Sequence, residues 1–186
     1  SILFNGEPVK RRKILSKSLW PSKVKEISYL SDADQTLQPA MVYTPQKFDD
    51  TKRPLLVGLH TWSGDYQQQS GINYAEWCMQ NDWHFIYPHF RGANNKPEAM
   101  GSEYVVSDIE SAVEFMKEKY SIDDNRIYLM GGSGGAYTAL LMAGRKPEIW
   151  AAVSAWCPIT DVKQWWEEKD ADTTSYKAYA DMIEKA

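Results

Sequence analysis

No stretch of the 186 residues approaches the roughly 18 consecutive apolar residues that cross a bilayer, so no membrane span is expected. Cysteine is scarce. Cys78 and Cys157 stand apart, form no CxxC and identify no redox compartment; buried neutral thiols are the expectation. Histidine is limited to His60, His84 and His89. His84 and His89 lie an odd number of positions apart along one expected strand and so point to opposite faces. No metal site and no cofactor is expected from them. Charge of one sign is also lacking: 21 basic against 25 acidic residues leave a net −4. That balance excludes broad attraction to nucleic acid or an anionic membrane. The one basic run, KRRK at 10–13, reads as part of a solvated N-terminal arm over residues 1–21. No repeat and no low-complexity linker interrupts the chain. The start lacks a signal-peptide core, as a secreted or periplasmic protein would after processing, so the compartment stays open.

What is present is ordinary globular composition, with 43% hydrophobic residues and enough length for one domain over residues 22–186. Two strands are expected over 22–30 and 37–45, the second carrying Pro39 at a strand start or sheet edge. The apolar runs PLLVGLH (54–60), WHFIYPH (83–89) and AAVSAWCP (151–158) read as strands covered on both faces, and RIYLM (126–130) reads as a further strand. SIDDN (121–125) reads as the turn leading into RIYLM. Helices are expected over INYAEWCMQND, over 102–120 and after the glycines at 131–135, with two more at the end. Val105, Ile109, Ala112 and Met116 give the 102–120 stretch an apolar stripe at helical spacing. Strands alternating with helices imply an α/β domain with parallel later strands, whose site lies at their carboxyl ends.

GGSGG at 131–135 sits at such an end. A phosphate-binding loop requires GxxxxGK[ST], and no Lys-Ser or Lys-Thr follows. A dinucleotide fingerprint fails as well. It would place Tyr137 where a small residue must pack, or Ser133 where bare backbone must meet a pyrophosphate. The GxSxG nucleophile elbow fits at every position. Ser133 would occupy a sharp strand-to-helix turn, with tiny residues two before and two after it. The N–H of Gly134 would point at the oxyanion of a tetrahedral intermediate.

From HTWSGD at 60–65 through SDIESAVEFMKEKYSIDDNRIYLMGGSGGAYTALLMAGRKPEIWAAVSAWCPITD, the chain resembles the α/β-hydrolase superfamily, in its prolyl-oligopeptidase-like and polysaccharide-esterase branches. The resemblance covers about residues 22–165. It implies a mostly parallel central sheet flanked by helices and a serine hydrolase that acts on an ester or amide through an acyl-enzyme on Ser133. It further implies that the Trp62 N–H is the second oxyanion donor, with His60 bracing the loop that carries it. A carbohydrate-linked ester is the favoured substrate class and a peptide the second. Trp62, Trp165 and Trp166 are candidates for lining the pocket.

The resemblance also exposes a gap. In this superfamily the acid and then the histidine follow the serine, yet no histidine follows Ser133. Asp161 is a candidate acid, although the aspartate it resembles is usually structural. Two further strands of the family sheet are missing after AAVSAWCP, which would leave an exposed edge. The expectation is an incomplete hydrolase domain whose histidine and acid lie outside this chain, the edge being covered by the missing portion or another chain. A non-catalytic binding protein that kept the elbow is the competing reading.

Overall fold

The computed structural model describes residues 19–46, 51–172, 174 and 176–185, together with the strand residues 3–4 and 7–8. Strands β1 (Leu3–Phe4) and β2 (Glu7–Pro8) form a separate antiparallel pair. The basic run expected as an arm lies outside the described residues. Trp20, within the expected arm, is instead buried against Phe85 and Tyr87, with ring centroids 6.3 and 5.8 Å away.

The core is a six-stranded sheet of β3 (Lys25–Leu30), β4 (Leu37–Tyr43), β5 (Arg53–Leu59), β6 (His84–Pro88), β7 (Ile122–Gly132) and β8 (Ala152–Trp156). Their order is β3-β4-β6-β5-β7-β8, and the β5–β6, β5–β7 and β7–β8 pairings are parallel. Period-two alternation sorts side chains between two cores. Ala40, Val42, Leu55, Val57, Leu59, Ile86 and Leu129 face helices α2 (Glu103–Lys119) and α3 (Gly134–Arg145). Met41, Tyr43, Leu56, Phe85 and Tyr87 face α1 (Ser70–Gln80). The expected stripe of α2 is fully buried, and Ser102 caps that helix by accepting the Val105 N–H. Glu103 in its first turn and Lys117 and Lys119 in its last oppose the helix dipole.

Four expectations change. Pro39 lies in an interior strand, opposite Ser28, and reaches β6 only through its carbonyl, which accepts the His89 N–H at 3.0 Å. It stands one residue before the β4–β6 pairing begins at Ala40, where a missing N–H costs no ladder bond. SIDDN is no simple turn, because Ile122 already pairs with Arg53. Asp123 and Asn125 then fold an irregularity into β7 before pairing resumes at Ile127. AAVSAWCP is not covered on both faces: β8 is the exposed sheet edge that the missing strands imply, with Trp156 64% exposed. Cys157 is accordingly exposed, whereas Cys78 is buried and its thiol is pushed up to about 12 by desolvation. Helices α4 (Val162–Asp170) and α5 (Lys177–Glu184) pack on each other rather than along that edge.

A buried ionic knot fixes the opposite half of the sheet. The Arg91 guanidinium meets Asp108 of α2 at 2.8 and 2.9 Å, Asp34 of the β3–β4 turn at 2.7 and 3.0 Å, and Ser31 Oγ at 3.0 Å. Phe90 and Arg91 adopt positive φ of 32° and 74° to aim it there. The hydrogen bonds from Arg91 hold the Asp34 carboxyl well below the usual range, while burial pushes Asp108 upward against the pull of Arg91. Removing one partner of a buried pair strands the other charge. Asp108→Ala is expected to cost about 3 kcal/mol of unfolding free energy. Lys117→Ala, which removes the surface pairs with Glu114 and Asp124, should cost no more than about 1 kcal/mol. Urea denaturation of both variants checks the contrast.

Candidate active site

The elbow follows from three bare backbones. Ser133 holds φ 54° and ψ −118°, a conformation that L residues rarely adopt, and its N–H donates to Trp156 O at 2.9 Å. The following residue starts α3, so the serine is exposed at the strand-to-helix corner. A Cβ on Gly131 would strike the backbone of Gly135. One on Gly135 would lie 2.6 Å from both Leu59 O and His60 O, and one on Gly134 would run into the Trp62 amide. A Cβ on Gly132 would meet nothing within 4 Å. Tight approach therefore demands glycine at 131, 134 and 135 and leaves 132 free.

That approach brings the β7–α3 corner against the loop after β5. Neither the Trp62 N–H nor the Gly134 N–H has an acceptor among the described residues. The first amides of a helix are left open by its geometry. The loop is tied from several sides. Asn94 N–H donates to Trp62 O at 2.8 Å. The Gln68 side chain accepts the Thr61 N–H at 2.9 Å and donates to Thr61 Oγ1 at 2.8 Å. His60 stacks on Phe90 at 3.9 Å, with Nε2 at 2.8 Å from His89 O and Nδ1 at 3.0 Å from Thr61 O. Burial pulls the His60 pKa down, so the ring is neutral near pH 7 and donates from one nitrogen only. Gln68 and Asn94 carry no sequence signal for these contacts; each is one polar residue in a polar loop.

Ser133 opens into a cleft of about 340 Å³ that Cys157, Pro158, Thr160, Asp161 and Trp165 also line. Asp161 caps α4, accepting the Gln164 N–H at 2.9 Å, and is exposed. Trp62 is buried under Trp165 rather than lining the cleft itself, and Trp166 is absent from its wall. No histidine lines the cleft with the serine. His60 and His89, one residue past the ends of β5 and β6, have ring centroids 6.4 Å apart, and His84 starts β6 near Tyr120. Among the described residues no group of three His, Cys, Asp or Glu side chains could hold a metal.

Residues 69–185 match the sequence profile of the prolyl oligopeptidase family. A curated relative is feruloyl esterase B of Thermothelomyces thermophilus, 27% identical over 147 residues, which cover 75% of this chain and 50% of the relative. The chain spans half or less of the length of the curated relatives it matches. Among solved structures, S-formylglutathione hydrolase from Staphylococcus aureus superposes with a TM-score of 0.64 at 14% identity, over 88% of this chain and 70% of that one. A ferulic acid esterase from Anaeromyces mucronatus gives 0.62 at 20%, over 75% and 60%. The architecture is that of an α/β-hydrolase.

Two stability measurements test this geometry. Gly134→Ala forces a methyl into the Trp62 amide and is expected to cost about 1–3 kcal/mol, whereas Gly132→Ala should stay within about 0.5 kcal/mol. Burial also lowers the pKa of all three histidines, that of His84 to about 4. Below pH 6.5 the unfolded chain therefore binds protons that the folded chain refuses, and stability falls as pH drops from about 6.5 toward 4. His84 alone should remove roughly 2 kcal/mol between pH 7 and 4.5, so His84→Leu should flatten the urea midpoint across that window.

Proposed function

The chain belongs to the prolyl oligopeptidase family, and from that premise we propose that it carries the nucleophile of a serine hydrolase that forms an acyl-enzyme on Ser133. The carrying observation is an exposed serine at φ 54° beside two amides without acceptors. The Ser133 oxygen attacks the carbonyl carbon and its proton passes to an imidazole. The carbonyl oxygen becomes an oxyanion held by the Trp62 and Gly134 amides, in a site where such donors each contribute a 10²–10³-fold rate factor of order. The imidazolium then protonates the leaving group, and water releases the acyl group by the same route in reverse. His60 braces the loop, and Asp161 is the helix cap rather than the acid.

The base and its acid come from sequence outside this chain. All three histidines here have other positions, and the match to this chain covers only 50% and 38% of the length of two feruloyl esterases. The outer edge of β8 is where the missing portion, or another chain, would add strands. An ester is the preferred substrate class. Trp165, the one aromatic residue lining the cleft, offers a ring to a flat acyl group, and the curated relatives include feruloyl esterases. A peptide bond is the second reading, favoured by the family match.

A fluorophosphonate probe tests the nucleophile: the Ser133 oxygen bonds to phosphorus, fluoride leaves and the serine proton goes to the base. The full-length protein should label and its Ser133→Ala variant should not. The 186-residue chain alone should label at least about 100-fold more slowly, because general-base assistance is absent. Unlabelled but folded full-length protein would instead support a binding role. Acetyl, feruloyl and aminoacyl chromogenic substrates assayed side by side separate ester from peptide, and the feruloyl ester should turn over fastest.

A further inference from the structure

We infer that Trp165, on α4, is a positioning residue that sets the oxyanion loop through Trp62; the inference rests on the serine-hydrolase reading above. Trp62 is 1% exposed, and its indole N–H has no acceptor among the described residues. No hydrogen bond therefore orients the ring, and packing alone decides where it sits. Two rings do so. Trp165 meets it edge-on at 4.8 Å and 68°, and Tyr137 of α3 lies at 5.8 Å. On the other side, the Gly134 backbone sits so close to Trp62 that a Cβ there would also come within 2.8 Å of the Trp62 Cβ. The residue whose amide receives the oxyanion is thus clamped between the nucleophile corner and one ring of α4.

Helix α4 is itself lightly held. It buries none of its own residues; besides the Trp62–Trp165 contact, its ties include the Asp161 cap, the Trp165–Tyr179 contact at 5.3 Å, Lys169 over the Tyr176 ring at 5.3 Å and the Lys177–Asp170 ion pair at 2.6 Å. A row of rings, Trp62, Trp165, Tyr179 and Tyr176, runs from the loop to α5. Removing the Trp165 ring frees the Trp62 side chain to turn, and its amide drifts with it. A misplacement of about 1 Å can cost on the order of 100-fold in rate. Because the amide matters only once negative charge develops, the loss falls on kcat and leaves KM.

The experiment compares Trp165→Ala, Trp165→Leu and Trp165→Phe in the full-length protein. Probes are a small alkyl fluorophosphonate and an acetyl ester, neither large enough to depend on the cleft wall. Trp165→Ala and Trp165→Leu should lower the labelling rate and kcat by about tenfold, with KM within about twofold. Trp165→Phe, which keeps a ring edge, should return to within about threefold. The near-UV circular dichroism of the Trp62–Trp165 pair should vanish in Trp165→Ala and Trp165→Leu. If Trp165→Ala fails to fold, the Leu variant carries the comparison. Unchanged labelling and kcat in the folded variants, or an effect confined to KM or to bulky aryl esters, would overturn the inference. Labelling of Ser133→Ala at the wild-type rate would sink the serine-hydrolase reading instead.

Discussion

The contact between two nearly naked backbones, Gly134–Gly135 and Leu59–Trp62, is the constraint on which the candidate site depends. No side chain fits between them: a single methyl on either glycine would overlap main-chain atoms of the facing segment. Close packing leaves such a corner no room to relax, which is how an exposed serine is kept at a φ that L residues avoid. The same closeness presents the amides of Trp62 and Gly134 together without local acceptors. Strain, exposure and open donors are one arrangement, produced by the parallel pairing of β5 with β7.

Around that corner the molecule divides its polar groups by position. At the β3–β4 side of the sheet, the buried Arg91 holds the buried Asp108 and Ser31 together with the exposed Asp34, locking the β3–β4 turn to α2. Near the cleft the buried His60 imidazole is kept neutral, between two carbonyl oxygens and flat against Phe90. Beyond β8 the structure thins: the edge strand is half-exposed and α4 buries none of its residues. Ser133 therefore lies at the boundary between a tightly packed half and a lightly packed one.

Much of the plan was legible in order along the chain. The unbroken apolar runs in PLLVGLH and WHFIYPH, and the four-three-four spacing in α2, are local patterns that fix which faces can be buried. Pro39 and SIDDN were less readable, because whether a strand is interior and where it resumes pairing depend on neighbours distant in sequence. The edge character of β8 was legible from the strands missing after it, whereas the exposure of Cys157 was not, because a local apolar run does not say which strand pairs outside it. The Arg91 knot joins residues 57 and 17 positions apart and gave no signal at all.

The sequence by itself determined the fold class and the identity of the exposed serine. GxSxG between a strand run and a helix run admits few other geometries when glycine is the one residue that fits. Only the tertiary structure decided that Gly132 is dispensable, that Gln68 and Asn94 hold the Trp62 loop, and that Trp62 is roofed by Trp165 instead of facing the cleft. The reason is that periodicity and turn chemistry act over a few residues. Which bare backbone meets which, and which ring covers which, is set by the packing of elements that the chain separates by 70 to 100 positions.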